Sequence, residues 1–324
     1  MKAMVQDRYG SPDVLALRDI PAPRIGAREV LVRVRVASLN ALDWHITRGM
    51  PRFLRLLEGV RRPRVRVRGV DLAGIVETVG SAVTRFKAGD RVFGAGRGTL
   101  AEFAGAREAH LALTPAGITD EQAATCNVAG LTALQGLRDR AGLRSGQRVL
   151  IIGAGGGVGT YAVQLAKWLG AEVTAVTRTE SAAMVGALGA DLVLDHSKED
   201  FTRRAERYDV VFDIGGGRRF TEIRRIMSRR GALVAVGGPA GRWLAPADRM
   251  LKAALLSPFA SQRFLPFVAR HEANDLAILG DLISRGTLRP VIDREYRLEQ
   301  APEAIRYLGI GHPRGKVIVG VAAA

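Results

Sequence analysis

A glycine-rich stretch near the middle of the chain carries the clearest chemical signal. Residues 149–160 read VLIIGAGGGVGT, and the residues that follow have helical composition. A strand, a tight turn and a helix in this order place free helix N–H groups just beyond the carboxyl end of the strand, where a nucleotide pyrophosphate can bind. The stretch therefore predicts a dinucleotide-binding loop.

The loop matches the dinucleotide-binding pattern G-x-G-x-x-G with one change. Ala154, Gly156 and Gly159 occupy its three positions, so alanine replaces the first glycine. Gly156 is expected to let the backbone approach a phosphate, and Gly159 to let the helix pack closely on the strand. Gly157 and Val158 lie between them and complete the predicted cofactor contact.

The end of the second predicted strand bears on the choice of cofactor. A carboxylate at this point binds the ribose 2′-hydroxyl of NAD and would repel the 2′-phosphate of NADP. Here the strand at 172–177 ends in Thr177-Arg178-Thr179, and a guanidinium can bind a phosphate through two hydrogen bonds. The sequence predicts NADPH. Two alternatives stay open: Arg178 is one solvated arginine among many, or Glu180 reaches the ribose.

Composition indicates a globular protein without a disulfide bond. A chain of 324 residues with 47% apolar content can form two domains with substantial cores. We recognise no targeting segment and predict no membrane span. The single cysteine, Cys126, excludes an internal disulfide and a multi-cysteine zinc site within one chain. A reducing, cytoplasmic setting is the simplest interpretation.

The excess of basic residues supports a rival hypothesis. The net charge is +16, and residues 61–68 read RRPRVRVR. Such a run could neutralise the phosphates of a nucleic acid, but no aromatic residue interleaves with the arginines to stack on bases. We interpret residues 64–68 as a strand with a solvated face or a rim that attracts an anionic ligand. No nucleic-acid partner is expected, and a basic nucleic-acid-binding protein remains the less favoured alternative.

Hydrophobic periodicity divides the chain into two kinds of structure. Up to about residue 120, short alternating segments such as 30–36 indicate a small barrel-like β domain. A helix then begins at Thr119, which forms a predicted capping box with Gln122. Beyond it, β and α segments alternate, which predicts a doubly wound parallel sheet with right-handed crossovers. The candidate strands are 147–152, 172–177, 191–194, 208–213 and 231–236.

The remaining segments are assigned from the same patterns. A helix is predicted at 218–229, another at 274–283, and a closing strand at 315–321. The apolar stretch 251–268 contains two prolines, so no single helix can span it. It is interpreted as a lid, a dimer surface or a last strand.

An ordered set of motifs resembles the medium-chain dehydrogenase/reductase superfamily, in its zinc-free quinone oxidoreductase-like branch. The set covers nearly the whole chain and comprises residues 9–13, 40–44, 69–80, 88–94, 129–133, the glycine loop, 188–191 and 315–317. The resemblance implies an α/β fold in which a GroES-like β-barrel domain (1–121 and 272–324) surrounds a Rossmann doubly wound parallel-sheet domain (122–271). It also suggests a homodimer.

The zinc ligands of the family's metal-dependent members are missing from this chain. Asn40 stands where those members have cysteine, and Val70-Asp71 stands where they have His-Glu. Cys126 alone cannot hold zinc in tetrahedral geometry and is interpreted as buried and inert. We therefore predict no metal site, and we interpret Asp71 as a structural or cleft-lining acid.

The resemblance also implies site residues in both domains. Asn40, Asp43 and His45 would face the cleft between the domains as catalytic residues. Asn40 would hydrogen-bond the nicotinamide or the substrate, Asp43 would orient its neighbours, and His45 would deliver a proton. Each has a structural alternative, such as an ion pair for Asp43. Further cofactor contacts implied are Thr132 and the loop Val236, Gly237 and Gly238 near the nicotinamide, His196 beside the adenine, and Lys316 near a cofactor phosphate.

Without a metal, the acceptor must already be activated, as a quinone or an α,β-unsaturated carbonyl is. The sequence therefore predicts a zinc-independent, NADPH-dependent oxidoreductase that transfers hydride to such an acceptor. The alternative from a different class is a non-catalytic NADPH-binding sensor or scaffold protein. It would bind the cofactor without turnover.

Overall fold

The chain forms two compact units. The computed structural model describes residues 1–237, 261–309 and 312–321. One unit comprises Met1–Leu131 and His271–Ala324, and the other Thr132–Arg270. The first unit includes α3 (Asp120–Ala124), which packs on its strands.

The first unit is built on a seven-stranded, mostly antiparallel sheet. The strand order is β14-β15-β3-β4-β5-β7, and β6 pairs with β3. A separate antiparallel pair is formed by β1 (Lys2–Gln6) and β2 (Leu15–Asp19). The sheet strands are β3 (Glu29–Leu39), β4 (Asp71–Val79), β5 (Arg91–Ala95), β6 (Phe103–Arg107), β7 (Leu111–Leu113), β14 (Ile292–Arg297) and β15 (Lys316–Gly320).

The alternation at 30–36 predicted β3 correctly. Val30, Val32 and Val34 are buried in the core, while Arg33 and Arg35 point outward. This pattern places one face of the strand against the core of the unit. The helices of the unit are α1 (Ala41–Arg48), α2 (Leu54–Glu58), α3, α8 (Ala273–Ser284) and α9 (Ala301–Gly309).

The second unit contains the predicted parallel sheet. Its order is β10-β9-β8-β11-β12-β13, and every pairing is parallel. The order jumps from β8 to β11, which is the switch point where a doubly wound sheet binds its ligand. The strands are β8 (Arg148–Ile152), β9 (Glu172–Thr177), β10 (Leu192–Asp195), β11 (Tyr208–Asp213), β12 (Met227–Ala235) and β13 (Arg263–Pro266). The helices are α4 (Leu131–Gln135), α5 (Gly157–Trp168), α6 (Thr179–Ala187) and α7 (Phe220–Arg225).

Two local predictions were wrong. Residues 64–68 do not form a strand: only Val67 pairs, through an isolated bridge to Val5. The carbonyl groups of Arg66 and Arg68 accept from Gln6 and Leu100, which lie on different segments, so no continuous ladder forms. The helix expected at 218–229 ends at Arg225, because the chain then enters a strand paired on both sides.

Other local predictions were confirmed. Gln122 donates its backbone N–H to Thr119 Oγ1 at 3.2 Å and accepts from the Thr119 N–H at 3.1 Å, which completes the capping box. Of the apolar stretch 251–268, residues 251–260 lie outside the described residues, and 263–266 form the last strand of the sheet. No helix in the described ranges is both long and apolar enough to cross a membrane.

Candidate active site

The glycine loop lies at the carboxyl end of β8. Gly156 is the N-cap of α5, with φ −85° and ψ 176°, and the first-turn N–H groups of this helix have no partner within it. Among the described residues, a Cβ at Gly156 would approach only Gly153 O, at 3.7 Å, so this part of the chain leaves space beside the loop. A Cβ at Gly159 would lie 2.2 Å from the same oxygen and 2.6 Å from Ala154. Only glycine at 159 therefore permits this close contact between helix and loop.

The ends of β9 and β10 meet beside this loop. The backbone N–H of His196 donates to Thr177 O at 3.1 Å, which joins the two strand ends. A Cβ at Gly155 would lie 2.7 Å from Thr177 Oγ1, so the loop packs directly on the end of β9. Arg178 is the N-cap of α6, and its side chain is exposed. The structure thus brings the glycine loop, Thr177, Arg178 and His196 to one edge of the sheet.

Sequence reasoning missed a carboxylate at this edge. Asp195, the last residue of β10, accepts hydrogen bonds from the hydroxyl of Thr179 and from the backbone and hydroxyl of Ser197. The hydrogen bonds from Ser197 and Thr179 hold the pKa of Asp195 well below its usual range. The sequence signal for this carboxylate is the run Asp-His-Ser that begins at the last residue of the third parallel strand. Glu180 is exposed in the first turn of α6.

The remaining predicted cofactor contacts in this unit are spread over two other elements. Val236 and Gly237 follow β12, where Val236 N–H donates to Asp213 O at 3.0 Å. Thr132 is buried in α4, which is flanked by two π-helical turns at 126–130 and 136–141. Such turns are frequent at functional sites. Gly238 lies outside the described residues.

A buried polar network occupies the first unit around Asp71. This carboxylate is fully buried and accepts from Asn40 Nδ2 at 2.9 Å and from Asn127 Nδ2 at 2.8 Å. The backbone N–H of Val128 also donates to it, at 3.3 Å. Asp71 therefore holds the side-chain amides of two residues that are distant in the sequence.

Lys316 belongs to the same network. Its ammonium group is buried and donates to Asn40 Oδ1 at 2.6 Å, to Leu39 O at 3.0 Å and to Asp71 Oδ2 at 3.4 Å. The ammonium and the carboxylate together fix the orientation of the Asn40 amide, with its oxygen towards Lys316 and its nitrogen towards Asp71. All three Lys316 donors are engaged here, which leaves none for the cofactor phosphate suggested by the sequence.

Asp43 is the buried acid of the first turn of α1. Its Oδ2 accepts from the Asn40 backbone N–H at 2.7 Å, which forms a capping box. Burial raises the pKa of Asp43 to about 6, and the negative charge of Asp71 acts in the same direction. The hydrogen bond from Asn40 and the charges of Lys316 and Arg68 act against this rise. Asp43 can therefore exchange a proton near neutral pH.

One histidine contacts this network, and another lies in α1. Burial lowers the pKa of His45, in α1, so its imidazole is neutral at pH 7. His271, which sequence reasoning missed, places Nδ1 3.0 Å from Asn127 Oδ1. Because the Asn127 nitrogen donates to Asp71, its oxygen must accept, so Nδ1 of His271 carries the proton. His271 also lines a cavity of about 320 Å³ together with His110.

The donor set does not resemble a metal centre. Within the ranges that the structure describes, no group of three or more His, Cys, Asp or Glu side chains is placed to hold a metal ion. Cys126 is buried, and its Sγ lies 3.6 Å from Gln122 O. The position around Asn40 is filled by an amide, a carboxylate and an ammonium that satisfy one another.

Two family models match this chain. The alcohol dehydrogenase GroES-like domain matches residues 26–127, and the zinc-binding dehydrogenase domain matches residues 188–319. The chain is 33% identical over 335 aligned positions to a chloroplast envelope quinone oxidoreductase homolog of Arabidopsis thaliana, with 98% of each chain covered. It is also 33% identical to a chloroplastic NADPH-dependent alkenal/one oxidoreductase of the same plant, covering 98% of this chain and 79% of the relative.

Solved structures share the fold over the full length. The quinone oxidoreductase from Coxiella burnetii is 29% identical and has a TM-score of 0.85, with 99% of each chain covered. The Escherichia coli quinone oxidoreductase complexed with NADPH is 25% identical, also with a TM-score of 0.85, over 99% of this chain and 100% of that one.

Proposed function

Since the chain belongs to the medium-chain dehydrogenase/reductase superfamily, in its quinone oxidoreductase-like branch, we propose that it reduces quinones or α,β-unsaturated carbonyls with NADPH and without zinc. The observation that carries this proposal is that the glycine loop and Arg178 lie at the same edge of the parallel sheet. Relatives named for quinone reduction and for NADPH-dependent alkenal/one reduction support the same activity.

The residues at the sheet edge fit this cofactor. The first turn of α5 offers free N–H groups and the positive end of a helix dipole to the pyrophosphate. Arg178, exposed at the end of β9, offers a guanidinium to the 2′-phosphate. Asp195 is held by Thr179 and Ser197 rather than free to bind the ribose. NADPH, when bound, supplies the hydride.

Asn40 is the residue best placed to bind the reacting groups. Its side-chain nitrogen has two protons, and Asp71 accepts one of them. The second can bind a carbonyl oxygen of the nicotinamide or of the acceptor. We assign Lys316 the role of holding Asn40 in this orientation, instead of the phosphate contact first expected.

Proton delivery falls to Asp43 rather than to His45. Reduction of an enone or a quinone places negative charge on oxygen, and a proton must follow. Asp43, with its pKa raised to about 6, is partly protonated in the pH range where such enzymes operate. His45 is half-buried and burial lowers its pKa, so it serves better as an acceptor of a hydrogen bond than as the primary acid.

A panel assay tests the proposed function. Purified protein should consume NADPH with at least one quinone or enone, and 2-cyclohexenone should react much faster than its saturated control cyclohexanone. A chelator in the assay should leave the rate unchanged. NADPH binding without turnover on the whole panel would overturn the enzyme assignment in favour of a sensor. A loss of activity with the chelator would contradict the zinc-free mechanism.

Asp43→Asn should change how stability depends on pH. The pKa of Asp43 is about 6 in the folded state and ordinarily 3.8, so the folded state binds this proton more tightly. The stability that the bound proton contributes is therefore lost as pH rises through about 6. Asparagine keeps the cap acceptor but does not ionise. The free energy of unfolding of the variant, relative to that of wild type, should therefore increase by about 1–1.5 kcal/mol from pH 5 to pH 8.

Urea unfolding at both pH values measures this difference. The exposed Asp19→Asn variant is the matched control and should show no comparable gain. Equal stability differences at pH 5 and pH 8 would show that Asp43 ionises as an ordinary carboxyl group.

A further inference from the structure

Arg68 is the buried member of a basic run whose other arginines are exposed. Its side chain is 4% exposed, whereas Arg64 and Arg66 point to solvent. Arg66 forms an ion pair with Asp7. In contrast, Nε and Nη2 of Arg68 are shielded from solvent and have no hydrogen-bond partner among the residues that the structure describes. The solvated face expected from the sequence therefore does not include Arg68.

An unpaired buried guanidinium is energetically unfavourable. Its desolvation costs several kcal/mol, on the order of the penalty for any unpaired buried ion, and arginine cannot escape the cost by losing its proton. Native structures leave few buried donors without partners, and violations of such local rules concentrate at functional sites. The two orphaned donors of Arg68 therefore require an explanation.

The backbone of Arg68 is held in place, and its charge interacts with α1. The backbone carbonyl of Arg68 accepts from Leu100 N–H at 2.9 Å, which fixes the position of the residue. Asp43, in α1, lies close enough to Arg68 for each charge to act on the pKa of the other.

Arg68 forms no direct ion pair in the part of the chain that the structure describes. The groups whose charges act on its pKa are Glu58, Asp43 and Tyr9, and no ion pair joins Arg68 to either carboxylate in this part of the chain. A cation with unused donors therefore stands near the buried acid that we assign to proton delivery. Such an arrangement suits a negatively charged oxygen that is present only during the reaction.

We propose that Arg68 is a further catalytic residue, whose Nε and Nη2 bind the acceptor oxygen on which negative charge develops. The proposal rests on the proposed function. Hydrogen bonds from Arg68 would polarise the carbonyl group of an already activated acceptor further. Nε–H and Nη2–H lie on the same side of the planar guanidinium, so both can donate to one oxygen that approaches between them.

The chemical step balances without another reagent. The hydride, which carries two electrons, forms a new C–H bond at the β-carbon of the enone. The C=C π pair moves between the α-carbon and the carbonyl carbon, and the C=O π pair moves onto the oxygen, which becomes an enolate. The acceptor is thereby reduced by two electrons and the cofactor is oxidised by two. Arg68 donates hydrogen bonds to the enolate oxygen, and Asp43 gives its proton to the α-carbon as the C=O bond forms again, which yields the saturated ketone. Asp43 then regains a proton from water.

Replacement of Arg68 by methionine tests the role. Arg68→Met keeps most of the side-chain length and removes the charge. With an enone active in the panel, kcat should fall about 10²- to 10³-fold, the usual effect of losing one oxyanion donor. The Kd for NADPH should not change. Tm should rise by ~2–5 °C, since an uncompensated buried charge is removed.

Matched variants separate catalysis from structure. Arg66→Met, in the same run but exposed, should change neither kcat nor Tm. Added guanidinium ion at millimolar concentration should restore activity to Arg68→Ala but not to Arg66→Ala. Full kcat in Arg68→Met would overturn the proposal. A joint loss of Tm, NADPH affinity and kcat would show a structural role and would overturn it as well.

A binding experiment needs no turnover. 4-Nitrophenolate carries its charge on an oxygen, as an enolate does, and its absorbance reports binding. Its Kd should be at least about 10-fold weaker in Arg68→Met than in wild type, as expected for a lost charge-assisted hydrogen bond. If wild type fails the whole panel but binds nitrophenolate through Arg68, the proposed function is wrong and the oxyanion site stands. Equal affinities of wild type and Arg68→Met for 4-nitrophenolate would contradict the proposed oxyanion site.

Discussion

Asp71→Asn is expected to destabilise the protein by about 3–5 kcal/mol, because it removes the counter-charge of a buried ammonium group. Lys316 is 3% exposed and Asp71 is fully buried, so solvent cannot replace the lost interaction. The amide that replaces the carboxylate can accept fewer hydrogen bonds from Asn40, Asn127 and Val128. Urea unfolding at pH 7 measures the loss.

A double variant distinguishes the charge from the shape of the site. Asp71→Asn combined with Lys316→Met should recover about 2 kcal/mol or more, since no unpaired charge then remains buried. Asp281→Asn is the control, because its ion pair with Arg285 is 52% and 71% exposed, and exposed pairs contribute about 0–1 kcal/mol. An equally small loss in Asp71→Asn would mean that the network does not stabilise the unit.

The same variant should affect catalysis more than cofactor binding. Asn40 loses the partner that fixes its orientation, so kcat should fall while the Kd for NADPH stays close to the wild-type value. We infer this from the hydrogen bonds of the Asn40 amide, both of which connect to the Asp71–Lys316 pair. An unchanged kcat at a temperature where the variant is folded would remove Asn40 from the proposed mechanism.

Arg178→Ala should lower the preference for NADPH over NADH by about 10- to 100-fold in kcat/KM. The change removes charge-assisted hydrogen bonds to the 2′-phosphate, which contribute about 1.5–3 kcal/mol. Activity with NADH should be nearly unchanged, because NADH has no 2′-phosphate. Steady-state kinetics with both cofactors and one enone measure the ratio.

Two variants serve as controls for the cofactor preference. Arg203→Ala removes another exposed arginine of the same unit, one paired with Asp200, and should leave the ratio unchanged. Glu180→Gln should also leave NADH activity unchanged, since Glu180 is exposed in the first turn of α6. A lower NADH activity in Glu180→Gln, with no effect of Arg178→Ala, would support the alternative in which Glu180 binds the ribose.

Local patterns predicted the elements of the second unit well. The alternating and apolar runs placed β8, β9 and β11 within one residue of their observed bounds. The glycine loop and the capping box at Thr119 were also recognisable, because each depends on residues a few positions apart. The strand predicted at residues 64–68 was wrong, because these residues hydrogen-bond to two different segments instead of pairing with one strand.

Such patterns do not predict contacts between residues that are far apart in the sequence, and the first unit contains several. Asp71 and Lys316 are 245 positions apart, and Asn127 and His271 are 144 apart. Their contacts exist because β15 pairs beside β3 and the chain returns to the first unit at His271. No spacing in the sequence encodes that return. Lys316 was consequently interpreted from family position alone, and His271 was missed.

By itself, the sequence determined the fold class, the strand–loop–helix that we propose binds the dinucleotide, and the absence of the family's usual zinc ligands, because each is carried by neighbouring residues of definite types. Only the tertiary structure decided which polar groups are buried together. Arg66 and Arg68 are both arginines, yet Arg66 is solvated and Arg68 is buried. Burial makes an unpaired charge energetically costly, whereas the same charge on the surface is hydrated. The free energy of a charge depends on what surrounds it, and the surroundings come from distant parts of the chain.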